Sequence, residues 1–441
     1  MTTEVAADPG ERVRRAVRWV LAGIVVLAIA LVATSVQRQA PFSPYDEYVY
    51  FDYLTKVSSQ GFVRTGEEVG EFARAELECR GVASYGSYGD GCGIGDVEDD
   101  ALFPYHGLTG ADLYTPVYFA ITRVLAQPLT WFGMGLLDAG RMVGGLWLAA
   151  AASMTFLALR RFRVGLVPAA GLVLLGMTTP VAQSSFAFIS TDAAAITAGA
   201  ALALLTARVI TGASSAWWLV PVGLLGVLAK PQAIGALGAA LLIVVVHALV
   251  TQGRWREASA WRGAVLPAAV AAVVALAAQL VWGRIRSATA VGPGANLGVG
   301  SEHLPPDSII RLLDNVLLNV GAVQPVEAQA SMEIAVAVAT ALACAGIVAG
   351  VIGLSRQPTP KGASTARSWA IGTGALAVLM IPVLMLMTWV LDGSYFEPPL
   401  RYGAALLPFL LVSAGMLLAR SRAIGWAVVA LSAVLIGLSW S

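Results

Sequence analysis

From Trp19 to Val36 the chain runs without a charged residue, and ten further apolar segments follow. They fall near residues 140 to 159, 164 to 182, 187 to 207, 216 to 229, 233 to 250, 264 to 282, 333 to 354, 369 to 391, 403 to 419 and 424 to 440. Runs of this kind suit helices that cross about 30 Å of hydrocarbon, where each backbone N–H and C=O has to be satisfied within the segment. The succession predicts an all-α polytopic membrane protein with about 11 spans, built as one integral membrane domain over residues 1–441. Composition agrees, with 57% hydrophobic residues, 12% charged residues and a mean hydropathy of +0.74, too apolar for a soluble domain. A net charge of +1 leaves no electrostatic footprint for nucleic acid, and none is expected as a partner.

The distribution of arginine orients the spans. Arg12, Arg14, Arg15 and Arg18 precede the first run, and "QRQAPFSP" after it offers no small-residue cleavage site, so an uncleaved anchor with a cytoplasmic N-terminus is expected. Alternate loops then carry Arg160, Arg161 and Arg163; Arg208; Arg254, Arg256 and Arg262; Arg356, Lys361 and Arg367; Arg420 and Arg422, with Glu257 as their only acid. Nearly all other carboxylates fall on the opposite side, in a first extracytoplasmic loop over 37–141 and a second over 283–332. The segment 113 to 134 is apolar but carries Arg123 and Gln127 on one side, and a twelfth crossing there would invert every later loop. It is expected to lie flat in the interface, as is Asp307 to Val320 in the second loop.

Cys79 and Cys92 share the first loop, on the oxidising side, and are expected to pair; Cys344 stands alone in a span. "GDVEDD", Gly95 to Asp100, has the carboxylates for a calcium ion, although solvated loop charge accounts for them as well. Asp46 and Glu47 stand side by side in "SPYDEYVYFDYL", where Tyr48 and Tyr50 suit an interfacial aromatic belt better than a sugar-stacking surface. Four basic residues break the charge bias near the outer helix ends: Arg123, Arg141, Lys230 and Arg401. Pro231 interrupts the helix at Lys230, and an ammonium at that depth is either a functional group or a snorkelling anchor. Arg401 follows Glu397, Pro398 and Pro399 and has the fork geometry that suits phosphate. Asp192 in "FISTDAAAITAGA" reads equally as part of a helix start capped by Ser190 or Thr191 and as a site residue. Carboxylates and cations gathered at one membrane edge fit an anionic lipid-linked donor and a hydroxyl to be deprotonated.

Several stretches together, "YDEYVYFDY", "DLYTPVYFAITRV", "GRMVGGLWLAAAA" running into "LRRFR", "ISTDA", "LAKPQA" and "LRYGAALLPFLL", cover most of the chain in order. In this the chain resembles the GT-C superfamily of polytopic glycosyltransferases, in particular a bacterial branch of predicted membrane proteins. The resemblance implies transfer of a sugar from a polyprenyl-phosphate carrier to a cell-envelope glycan or lipid acceptor, on the extracytoplasmic face of a bacterial plasma membrane. It implies that Asp46 or Glu47 is the catalytic base, and that Lys230 and Arg401 hold the phosphate, with Asp192, Tyr402 and Arg141 also lining the substrate site. Metal-free transfer and transfer assisted by a divalent cation are both compatible with it. The chain departs from the branch at Tyr50, where relatives often have histidine, at Thr115 to Phe119, and at Ser190, where asparagine is frequent. The rival reading is a transporter or flippase of a lipid-linked or amphipathic substrate, with Asp192 and Lys230 along its path.

Overall fold

The computed structural model describes residues 9–83, 88, 91–93, 97–252, 261–295, 300–301, 345, 347–356, 364–392, 395–396, 399–418 and 421–439. The regular structure of the described residues is helical apart from a two-residue antiparallel pairing of Gly300–Ser301 with Tyr395–Phe396 and isolated bridges. The helices of the membrane part are α1 (Pro9–Arg38), α5 (Leu136–Arg161), α6 (Leu166–Met177), α7 (Pro180–Phe186), α8 (Thr191–Ile210), α9 (Leu219–Ala229), α10 (Ile234–Gln252), α11 (Leu266–Thr289), α12 (Ser364–Asp392), α13 (Leu407–Leu418) and α14 (Arg422–Ser439). The first loop contributes α2 (Glu47–Gln60), α3 (Glu71–Arg80) and α4 (Val117–Trp131).

Among the described residues seven helices are long and apolar enough to cross a membrane, formed by α1, α5, α8, α10, α11, α12 and the stretch Arg401–Leu418. An eighth crossing results if α6 and α7, bent by 68°, count as one. The bend has a local cause: the Thr178 and Thr179 hydroxyls donate back to the carbonyls of Leu175 and Gly176. Pro180 then opens α7, with the Thr179 hydroxyl accepting from the Ala182 N–H. The remaining difference from the expected eleven lies in length. The apolar stretches Ala216–Ala229 and Arg422–Gly437 are each shorter than a full span, and 333 to 354 lies largely outside the described residues, as does Asp307 to Val320.

Small residues let the helices approach closely. A Cβ added at Gly144 of α5 would meet the Phe186 carbonyl oxygen at 1.9 Å, and one at Gly199 of α8 would meet the Ala405 carbonyl oxygen at 2.0 Å. These contacts fix α7 against α5, and the turn Leu400–Leu406 against α8.

The first loop has a core of its own, built from Phe42, Tyr48, Tyr50, Phe51, Tyr53, Phe103, Tyr114, Tyr118 and Phe119. Tyr48 and Tyr50 are therefore not an interfacial belt: they are 5% and 1% exposed, on the inner side of a short helix that buries most of its first two turns. Cys79 and Cys92 are joined as a disulfide. Backbone hydrogen bonds from Phe42 to Gly81 and from Ala83 to Phe42 tie the end of α3 to the strand-like segment just before Asp46. Asp112 binds both Arg286 of α11, at 3.1 Å, and the Thr65 hydroxyl, at 2.6 Å, so the loop is anchored on α11 as well. Among the groups outside the spans, Asp52 is buried enough that its carboxyl is pushed above the usual range, although Lys56 lies 2.8 Å away.

Candidate functional site

Helix starts bring the predicted residues together. Ser190 caps α8, its hydroxyl accepting from the Asp192 N–H at 3.2 Å, which frees the Asp192 carboxylate to point elsewhere. Pro231 forces Lys230 into an extended conformation (φ −152°, ψ 118°) and ends α9, so the lysine sits at a break between two helices. Arg401 and Tyr402 stand at the start of the turn that leads into α13. Asp46 is the N-cap of α2 in the left-handed region, φ 65° and ψ 7°, and its side chain caps nothing. A left-handed backbone is uncommon for a residue with a Cβ, and here the carboxylate leaves the backbone N–H groups of α2 uncapped.

Four charged side chains and two tyrosines form a closed ring. Arg401 Nη2 lies 2.7 Å from Asp46 Oδ2, and Arg401 Nε lies 3.3 Å from Asp192 Oδ2 without a directed hydrogen bond. Lys230 Nζ lies 3.1 Å from Asp192 Oδ1 and donates to the Thr191 hydroxyl at 2.8 Å and to the Tyr114 hydroxyl at 3.2 Å. The Tyr50 hydroxyl closes the circuit, 3.2 Å from that of Tyr114 and 3.5 Å from Asp46 Oδ2. Lys230 also faces the rings of Tyr114 and Tyr402, at 4.5 and 5.4 Å, and Arg401 faces Tyr45 at 5.1 Å. Lys230 is wholly buried, so it is not a snorkelling anchor. Burial holds the Tyr50 and Tyr114 phenols well above the usual phenol range, so both stay protonated at neutral pH.

Glu47 leads away from this ring. Its carboxylate is wholly buried and accepts from Arg141 Nε and Nη2 at 2.8 Å each, from the Ser43 N–H at 2.8 Å and from the Ile189 N–H at 2.9 Å. Arg141 spends its other arms on the carbonyls of Gln39 and Pro41, both at 2.7 Å. The pair thus joins the end of α1, the start of α2, α5 and the entry to α8. Two adjacent carboxylates serve different arginines, and only the Asp46 side chain, 33% exposed against 0% for Glu47, can be reached from outside.

Lys230, Asp192 and Arg401 are each more than four-fifths buried, and the ring carries two positive and two negative charges. Helix starts of α8, the stretch from Pro231 and the stretch from Arg401 converge on it, adding positive dipole ends. The arginine-rich ends lie at the other extreme: α5 runs about 39 Å from Leu136 to Arg161 at 1.5 Å per residue. Tyr114 is part of the ring and Thr191 accepts from Lys230, and neither stands out as a ligand in the sequence. Tyr114 lies inside the "DLYTPVYFAITRV" stretch, while Thr191 reads there only as a helix cap. Among the described residues no three His, Cys, Asp or Glu side chains converge as a metal site would need, and both ring carboxylates face cations.

No protein-family model matches the chain, and no curated protein matches it either.

Proposed function

We propose that the protein is a glycosyltransferase that moves a sugar from a polyprenyl-phosphate-linked donor to a cell-envelope glycan or glycolipid, on the extracytoplasmic face of a bacterial plasma membrane. The observation that carries this reading is the meeting of Asp46, Asp192, Lys230 and Arg401 at the ends of helices far apart in sequence. A reachable carboxylate beside two fixed cations is the equipment that such a transfer calls for.

In this reading Asp46 takes the proton from the acceptor hydroxyl, whose oxygen attacks the anomeric carbon as the bond from that carbon to the phosphate oxygen breaks. The departing phosphate gains negative charge and is held by Arg401, through a planar fork, and by Lys230, through a point charge. Asp192 sits between the two cations, 3.1 and 3.3 Å away, and keeps both in place. Glu47 is a positioning residue: with Arg141 it locks the segment that presents Asp46. Full membrane crossing by eleven segments, a cytoplasmic N-terminus and interfacial placement of 113 to 134 belong to the same proposal. The arginine-rich helix ends opposite the ring support that orientation.

The test is transfer from a polyprenyl-phosphate sugar by the purified full-length protein in nanodiscs, with membrane glycan as acceptor. Asp46→Asn should abolish product while the protein stays inserted. Movement of labelled lipid across proteoliposomes, with the sugar still attached, would instead make it a flippase.

A further inference from the structure

Arg123 lies on the flank of α4, between the face packed on α5 (Tyr118, Thr122, Ala126) and a face left open (Ile121, Val124, Leu125, Trp131). The open side continues into Phe132, 87% exposed. Arg123 Nε and Nη1 are shut off from solvent, yet neither has an acceptor, and among the described residues no carboxylate pairs with this arginine. Five other arginines, Arg74, Arg80, Arg141, Arg286 and Arg401, each have a carboxylate within 4 Å. Guanidinium N–H groups deprived of both water and acceptors are costly, more so beside hydrocarbon.

We propose that Arg123 binds the phosphate of an anionic glycerophospholipid whose acyl chains lie along the open apolar face of α4. The side chain as a whole is half-buried, so rotation about its flexible stem carries the fork to the rim of the helix. There two N–H groups meet two phosphate oxygens in the bidentate geometry that a guanidinium favours. Trp131, 74% exposed one helical turn past Gln127, suits the headgroup level of a membrane. The open face selects a lipid over a free anion, because inorganic phosphate brings nothing to cover Ile121, Val124 and Leu125. α4 also carries Tyr118, whose hydroxyl accepts from the Ser190 N–H at the entry to α8. A lipid on α4 therefore steadies a helix that holds the entry to α8, although the proposal does not depend on what the ring does.

The test uses the full-length protein in detergent, titrated with phosphatidylglycerol and, separately, with phosphatidylcholine, the retained lipid being counted by native mass spectrometry. Wild type should retain one more phosphatidylglycerol than Arg123→Gln, with about fivefold weaker binding at that site in the variant, while Arg123→Lys keeps part of the difference. Because Arg123 has no carboxylate partner among the described residues, Arg123→Gln should unfold in lipid-free detergent at the wild-type temperature or above, and phosphatidylglycerol should raise that temperature only in wild type. Equal retention by wild type and Arg123→Gln overturns the proposal. So does equal retention of phosphatidylcholine, or displacement of the lipid by millimolar inorganic phosphate.

Discussion

Replacing Asp46 with asparagine should make the protein bind its phosphate-bearing lipid more tightly while it loses the ability to transfer from it. The reason is competition. Both cations of the ring are already neutralised, Lys230 by Asp192 and Arg401 by Asp46 and Asp192. A lipid phosphate can take Arg401 only by displacing a carboxylate, and Asp46 is the displaceable one, being 33% exposed where Asp192 is 8% exposed. The 2.7 Å contact of Asp46 with Arg401 is charge-assisted, worth about 1.5–3 kcal/mol when shielded. Solvent at the Asp46 side reduces that to about 1.4 kcal/mol, or about tenfold in affinity. Unglycosylated polyprenyl phosphate, titrated onto the detergent-solubilised protein and followed by native mass spectrometry, reads the effect directly. Asp46→Asn should bind about tenfold tighter, Arg401→Gln should bind more weakly than wild type, and the double variant should resemble Arg401→Gln. Transfer by Asp46→Asn should fall by about 10²–10⁴-fold. If Asp46→Asn bound the lipid no better than wild type while Arg401→Gln bound it worse, phosphate and carboxylate would not share the guanidinium, and the displacement argument would be refuted.

Other perturbations separate structural from chemical roles. Glu47→Gln leaves Arg141 as a buried charge without a counterion and should cost about 3–5 kcal/mol of stability; thermal unfolding checks it, and combining it with Arg141→Met should recover part of the loss. Gly199→Ala drives a Cβ into the Ala405 carbonyl oxygen and should move the turn that carries Arg401 and Tyr402; lipid-phosphate affinity should drop with little change in Asp46 accessibility to carbodiimide. Burial raises the Asp52 carboxyl above its ordinary value near 3.8, so its neutral form favours the fold and its contribution is lost as pH rises through the raised value. Asp52→Asn, which can still accept from the Gly70 N–H, should therefore gain in unfolding temperature over wild type as pH goes from about 4 to about 7; a gap that narrows over that range contradicts the assignment.

How much of this is legible in the sequence depends on whether a signal is local. The break at Lys230 is, because proline restricts the residue before it. So is the pairing of Cys79 with Cys92, and the Ser190 cap at the start of α8. The bend between α6 and α7 is masked by an apolar run that reads as one span, although Thr178, Thr179 and Pro180 carry its cause. Tyr48 and Tyr50 mislead because aromatic residues after a span suit both a belt and a buried loop core, and only tertiary packing chooses. The division of labour between Asp46 and Glu47 is out of reach for the same reason. Their partners stand 355 and 94 residues away, and nothing in "YDEYVY" tells which of them meets Arg401 and which meets Arg141.

That division has a physical logic. A carboxylate in the first turn of α2, as Glu47 is, faces inward and can be sealed by backbone N–H groups and a guanidinium, which makes it rigid and unreactive. A carboxylate one residue earlier, on a left-handed cap, is turned outward and held by one arginine and a long hydrogen bond from the Tyr50 hydroxyl. Rigidity in Glu47 fixes the position of Asp46, and the strained cap leaves Asp46 able to move. In the proposed transfer, an anion that takes Arg401 would release Asp46 next to the bond that is to be broken, so binding of the leaving group and arming of the base would become one event. Swapping the two residue types, as Asp46→Glu with Glu47→Asp, keeps every charge. The side chain at the second position, shortened by one methylene, should lose the bidentate seal to Arg141, so the pair would fail as a lock before it failed as chemistry. Thermal unfolding of the swapped protein should therefore drop toward that of Glu47→Gln, and a swap that unfolded at the wild-type temperature while losing transfer would reverse the two assignments.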